Sequence, residues 1–153
     1  MDILFQSIGA MEAESNCLYL LQTVGVLQVL RLSTWAILPS KQSTSANSYS
    51  IYSPRDFVVP AGRTSSVSTD LCVSFKKRNK VFNFLLQVWH QGDPTLVGRI
   101  APISSLLETA IIGGRNITTT FSTRSLCVFV YNISSSPLSI RAGEAFAQIV
   151  FPS

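Results

Sequence analysis

The sequence predicts an all-β domain, an antiparallel sandwich or a jelly-roll barrel, on three observations. Charged residues make up only 13% of the 153 positions and apolar ones 46%. That balance leaves no material for the Lys- and Glu-coated outer face of long surface helices. Polarity comes instead from hydroxyls, 22 Ser and 11 Thr, which suit the solvent face of antiparallel strands. Finally, turn residues punctuate short β-like runs at roughly 8–12-residue spacing, as in sandwiches and jelly rolls. A chain of this length makes one domain and buries a core without staples.

The elements follow in order. Residues 1–25 are set aside as an N-terminal extension, with Cys17 to Val24 open between helix and strand; the domain runs from 26 to 153. Val26 to Leu32 alternates imperfectly and reads as a strand. Ser40 to Ser48 is a polar loop. Tyr49 to Tyr52 and Phe57 to Val59 are short strands, closed by Ser53-Pro54 and by Pro60-Ala61-Gly62. Ser66 to Phe75 alternates, with Val67, Thr69, Leu71, Val73 and Phe75 on one face, and reads as one strand. Val81 to Trp89 is a longer apolar run ended by Gln91-Gly92-Asp93-Pro94. Val97 to Ala101 leads into Pro102, and Ser104 to Thr109 offers at most one helical turn. Gly113-Gly114 reads as a turn. Ile117 to Phe121, Leu126 to Tyr131 and Ala145 to Phe151 complete the strands.

Three cysteines, Cys17, Cys72 and Cys127, cannot all pair within one chain and lack zinc-site spacing; they read as reduced thiols of an intracellular protein. The sequons at Asn116 and Asn132 then carry no meaning. Cys17 to Leu30 is too short and too polar to span a membrane, and acids rather than Lys or Arg precede it, unlike a signal peptide. No membrane partner is expected.

The residues offer no active site of their own. The acids beyond residue 15 (Asp56, Asp70, Asp93, Glu108 and Glu144) form no metal or catalytic spacing, and His90 stands alone. Neither a nucleophile elbow nor a phosphate-cradling glycine loop is present. The excess of 12 Lys and Arg over 8 Asp and Glu concentrates at Lys76, Lys77, Arg78 and Lys80. That cluster reads either as an import or phosphate-binding patch or as a solvated hairpin tip that discourages edge pairing. Phe82 and Phe84 share one face and read as core, so nucleic-acid binding is not expected.

Five stretches, in order, resemble the trimeric dUTPase family. Leu27 to Pro39 is similar to its first strand. Ala46 to Pro60 resembles its first motif and following strand, and Thr69-Asp70-Leu71 the strand after that. Gly98-Arg-Ile-Ala-Pro102 with Ser104 resembles the second motif. Arg141 to Ile149, with Gly143, Ala147 and Gln148, resembles the fourth. The resemblance implies a jelly-roll β-barrel, a homotrimer with active sites between subunits, and Mg²⁺-assisted hydrolysis of dUTP to dUMP and pyrophosphate. Arg99, Ser104 and Gln148 would remain from the phosphate- and nucleotide-binding site.

The departures fall on the chemistry. By the same resemblance, the first motif's carboxylate falls on Ser50 and the second motif's phosphate-holding Arg on Ile103. The third motif's water-activating Asp falls on Thr119 and its sugar-stacking Tyr on Ser122. The fourth motif's Arg falls on Ala145, and the Gly-rich fifth motif has no counterpart before Ser153. A general base needs a carboxylate or imidazole, Mg²⁺ needs carboxylate oxygens, and transferring phosphoryl charge needs cations. The expectation is a dUTPase-like protein without catalysis or cofactor; the alternative is an active dUTP diphosphatase with displaced groups and Mg²⁺. A narrower resemblance, through Ser53 to Thr64 and Ile149 to Ser153, is to the dUTPase-like early proteins of adenoviruses. It implies host-protein partners and a place in the host cytoplasm or nucleus. Some of those proteins end in a PDZ-binding tail, which Val150-Phe-Pro-Ser153 does not match. Asp70 to Gly98 is longer than the family's connection, so a long hairpin is expected there, with Lys76 to Lys80 near its tip.

Overall fold

A computed structural model of the chain describes residues 20–42, 48–75, 97–119 and 123–151. Within them the chain is built from strands: β1 (Leu21–Val24), β2 (Leu27–Arg31), β3 (Ser40–Lys41), β4 (Ser48–Tyr52), β5 (Phe57–Val59), β6 (Thr64–Ser68), β7 (Leu71–Phe75), β8 (Arg99–Ala101), β9 (Ala110–Gly114), β10 (Cys127–Asn132), β11 (Leu138–Ile140) and β12 (Ala145–Val150). One turn of 3-10 helix, Ser104–Leu106, is the only helical element among the described residues. Four antiparallel sheets result, ordered β1-β2-β7, β6-β10-β9, β11-β5 and β3-β4-β12-β8.

Period-two alternation makes these strands two-faced. On β4, Tyr49 and Ile51 are buried while Ser48, Ser50 and Tyr52 face outward. On β10, Val128, Val130 and Asn132 point in. Leu27, Val29, Leu71, Val59, Phe146 and Ile149 join the two valines in a single apolar core. Each such side chain stabilises the fold by about 1.5–3 kcal/mol through burial. Phe57 meets Phe146 edge to face at 5.5 Å. Phe151 closes over Tyr49 and Phe75, with centroids 5.8 and 4.4 Å away.

Two polar devices hold the ladders in register. Asn132 is fully buried and has all of its amide in use. Its Nδ2 donates to the carbonyls of Val59 (2.9 Å) and Ser136 (2.8 Å), and its Oδ1 accepts from the amide and hydroxyl of Ser134. The Asn132 sequon therefore offers no glycosylation acceptor in the folded chain. Asp70 has φ of 56°, a conformation an ordinary side chain adopts at a cost. Hydrogen bonds from Ser33 (2.8 Å), Ser68 (3.1 Å) and Arg55 (2.6 Å) to its carboxylate compensate.

The structure corrects several readings. Ser66 to Phe75 is not one strand: the Thr69-Asp70 corner ends β6 and starts β7, which then joins a different sheet. Alternation alone hides such a corner, because Thr69 is itself buried, its hydroxyl bonded to the Leu126 carbonyl. Gly113-Gly114 is not a turn but the end of β9. A Cβ on Gly114 would sit 2.9 Å from the Cys127 carbonyl and 3.1 Å from Ile100 Cγ1, so glycine there admits neighbouring backbone. Ile117 forms only an isolated bridge with Gly98, and Thr119 lies at a bend, so the strand expected over Ile117 to Phe121 does not start as one. β11 lacks a sequence signal, being three residues in a serine-rich stretch. β1, in the stretch set aside as extension, pairs with β2 through Gly25, whose φ is 58°. The Ser40 to Ser48 loop opens with β3. Val81 to Trp89, the hairpin expected there, Lys76, Lys77, Arg78 and Lys80 lie outside the described residues, as does Cys17. Cys72 and Cys127 are free thiols. No helix among the described residues is long and apolar enough to cross a membrane.

Candidate functional site

The β3-β4-β12-β8 sheet carries four of the residues singled out by sequence, Ser50, Arg99, Ala145 and Gln148. Its register sets Gln148 opposite Ser50 on one side and Ala101 on the other, with Ser40 beyond Ser50. Arg99 stands opposite Val150, which faces Ser48. Since Tyr49, Ile51, Ile100 and Ile149 take the core face, Ser50, Gln148 and Arg99 share the outer one. Pro102 then leads into Ile103 and the 3-10 turn beginning at Ser104, so these two flank the same sheet. Ala145 sits opposite Tyr52, at the other end of β12 beside a bulge. Thr119 is exposed beyond the Gly98–Ile117 bridge. Ser122 is outside the described residues.

The polar groups on the outer face bond to one another. Gln148 Nε2 donates to the Pro102 carbonyl at 2.8 Å, which orients the amide. Gln42 Nε2 lies 3.4 Å from Gln148 Oε1 and 3.3 Å from Ser50 Oγ. The Ser40 and Tyr52 hydroxyls are bonded to each other. Sequence reasoning misses Gln42, which sits in a serine-rich stretch with no pattern to mark it.

The charges on this sheet bear on the chemistry it can support. The four strands read Ser40–Lys41, Ser48–Tyr52, Ala145–Val150 and Arg99–Ala101, and hold two cations and no carboxylate. Two acids outside the four strands have structural work. Asp56 accepts the Ala142 amide at 2.7 Å. Asp70 is tied to Arg55. Burial pushes the Asp70 carboxyl up, and the hydrogen bonds from Ser33, Arg55 and Ser68 with the Arg55 charge outweigh it, so its pKa lies below the ordinary carboxylate value. Burial also raises the Cys72 thiol, partly opposed by the Arg115 charge; a raised thiol is a poor nucleophile. Mg²⁺ takes carboxylate and phosphate oxygens in octahedral geometry, and the donor set of this sheet does not fit it. Among the described residues no three His, Cys, Asp or Glu side chains gather as a metal site.

The comparisons with known proteins decide the family. The chain is 31% identical over 125 residues, 81% of its length, to the deoxyuridine 5'-triphosphate nucleotidohydrolase of fowl adenovirus A serotype 1. It is 29% identical over 126 residues to the Saccharomyces cerevisiae enzyme of the same name, covering 82% of this chain and 74% of the yeast one. The chain belongs to the dUTPase family. It spans 61% of the length of the fowl adenovirus relative. No family model matches it. Solved dUTPases share its jelly-roll β fold. A point mutant of the phage 80α dUTPase superposes with a TM-score of 0.63 at 18% identity, over 85% of this chain and 84% of that one. The EIAV enzyme superposes with a TM-score of 0.59 at 17% identity, over 82% and 86%. The dUTPase-like sequence reading and the all-β expectation are both borne out.

Proposed function

We propose that this dUTPase-family chain is non-catalytic and works by binding proteins, as a viral early protein engaging host factors inside the infected cell, and that it assembles as a homotrimer. The observation that carries the reading is the outer face of the β3-β4-β12-β8 sheet: Gln148 is spent on the Pro102 carbonyl and Gln42, and no carboxylate stands in the four strands. Ser50, Ile103, Thr119 and Ala145 stand where the family resemblance puts a carboxylate, an arginine, the water-activating aspartate and a second arginine. A hydroxyl of very high pKa does not deprotonate water at neutral pH, and alanine and isoleucine do not stabilise phosphoryl charge. Loss of several such groups removes essentially all catalysis even though their effects are not additive. The adenoviral relative at 31% identity supports the viral assignment.

The second reading, an active dUTP diphosphatase using Mg²⁺, is favoured by the name its relatives carry. It requires carboxylates from outside the four strands, such as Glu144 directly before β12; Asp56 and Asp70 are already engaged. The test is steady-state pyrophosphate release from dUTP by purified protein with Mg²⁺. The non-catalytic reading expects the buffer rate; sustained Mg²⁺-dependent release that co-purifies with the protein supports the alternative.

A further inference from the structure

The sequence holds two Ser-Pro dipeptides, Ser53-Pro54 and Ser136-Pro137, and the fold treats them in opposite ways. Ser53 is fully buried; its hydroxyl donates to the Arg55 carbonyl, its amide to the Glu144 carbonyl, and its own carbonyl accepts from the Gly143 amide. Ser136 and Pro137 are both exposed, on the turn between β10 and β11. Three consecutive serines stand in that turn, and their bonding separates them. The Ser134 hydroxyl is spent on Asn132 Oδ1 (2.7 Å) and the Ser136 carbonyl (2.9 Å). Ser135 is exposed but has no proline after it. Ser136 has its amide and carbonyl in use, the carbonyl held by Asn132 Nδ2 at 2.8 Å, while its hydroxyl takes no partner among the described residues. From Asn132 to Ile140 the segment carries no charged residue.

We propose that Ser136 is a phosphorylation site for a proline-directed protein kinase. Such an enzyme selects its serine through a pocket for the next residue, where proline fits because it brings no N–H that would lose its partner. In the step itself Ser136 Oγ attacks the γ-phosphorus of ATP, its proton passes to the kinase's aspartate base, and ADP leaves. Of the two Ser-Pro dipeptides only this one offers what the step asks of a substrate, an uncommitted hydroxyl and an accessible proline. Phosphate adds about −1.5 to −2 charge at pH 7, which takes the net charge from +4 to about +2. No carboxylate in the 132–140 segment repels it. The Asn132 hub sets the pace. A kinase cleft takes an extended backbone, so the Ser136 carbonyl has to leave Asn132 Nδ2 before the hydroxyl is delivered, which is a local opening of the turn. Hydrolysis of dUTP, whether present or absent, has no bearing on this turn.

The test is phosphorylation of the folded full chain by a purified mitogen-activated protein kinase with Mg²⁺ and ATP, read by intact mass and by fragment mass spectrometry, for wild type, Ser136→Ala and Pro137→Ala. A synthetic peptide of residues 130–142 runs alongside. The expected result is one phosphate per wild-type chain, on Ser136, and none on Ser136→Ala. Pro137→Ala should react at least about tenfold more slowly, as loss of a pocket-filling group does. The peptide, which has no folded hub, should react faster than the folded chain. If Pro137→Ala loses the β circular-dichroism spectrum, the peptide with the same change decides. Phosphate on the peptide but not on the folded chain overturns the site, as does phosphate placed only on Ser134, Ser135 or elsewhere. An unmodified peptide overturns it too, and a Pro137→Ala rate equal to that of wild type overturns the proline-directed assignment. Mapping of the chain recovered from expressing animal cells completes the test: Ser136 phosphate is expected, and its absence from lysates made with phosphatase inhibitors overturns Ser136 as a site used in the cell.

Discussion

Asn132→Ala removes the polar hub beneath β10 and is the sharpest stability test of the fold. Asn132 is fully buried, and its Nδ2 supplies a hydrogen bond to the Val59 carbonyl on β5 at 2.9 Å and to the Ser136 carbonyl at 2.8 Å. Truncation leaves the buried Val59 carbonyl short of a donor, a penalty of about 1–3 kcal/mol. The Ser136 and Ser134 partners are nearer solvent, where water replaces much of what is lost, and each adds about 0.5–1 kcal/mol at most. The expected destabilisation is about 2–4 kcal/mol, or a Tm drop of roughly 5–15 °C in a domain of this size. The assay is urea unfolding followed by circular dichroism, at one fixed protomer concentration so that assembly does not enter the comparison. Ser134→Ala, which removes one hydroxyl bond to Asn132 Oδ1, should cost less than about 1 kcal/mol. An Asn132→Ala protein within about 0.5 kcal/mol of wild type, at unchanged m-value, would refute the hub.

Three further outcomes are expected. Because the Asp70 pKa is lowered in the folded chain, its charge stabilises the fold above the unfolded carboxylate pKa, and that stability is lost as pH falls through the folded value. Asp70→Asn should therefore be less stable than wild type at pH 7 and converge on it in the acid range below the ordinary aspartate pKa, as read by thermal melts across pH; a constant difference across that range would contradict this. Gly25→Ala should cost at least about 1 kcal/mol for the positive φ plus a clash of the new methyl with the Tyr49 hydroxyl, and Tyr49→Phe should relieve part of that cost in a double-mutant cycle. In a Cys17→Ser background, Cys127 should react with a thiol reagent well before Cys72, which is buried and has a raised pKa; equal rates would count against it.

The legible parts of the fold are those with clean alternation and a turn at each end. β4, β5, β10 and β12 fall within a residue or two of their sequence expectations. The misses have physical causes. The Thr69-Asp70 corner is invisible because a buried threonine continues the apolar series and the positive φ falls on an aspartate held by three side chains. β9 is masked by glycines, of which Gly114 serves close approach rather than a turn. At the candidate site, Ser50, Arg99, Ser104 and Gln148 are marked only by family resemblance, and register brings Ser50, Arg99 and Gln148 to one sheet face. Gln42 has no sequence signal, since its role depends on a hydrogen bond spanning 106 positions. The Phe129–Tyr131 strip reads in sequence as an ordinary strand; only the register with Ile111 shows that its outward side is apolar too.

The non-catalytic reading proposed for this chain holds that it does not hydrolyse dUTP. The most direct measurement is a single-turnover experiment with the protein in excess over dUTP labelled at the α-phosphate, with Mg²⁺, following dUMP by chromatography over hours. An active dUTPase run alongside converts all of the label. The expected result for this chain is dUMP formation at the rate of protein-free buffer, unchanged by added EDTA. Complete, EDTA-sensitive conversion that tracks the protein through a second purification would contradict it.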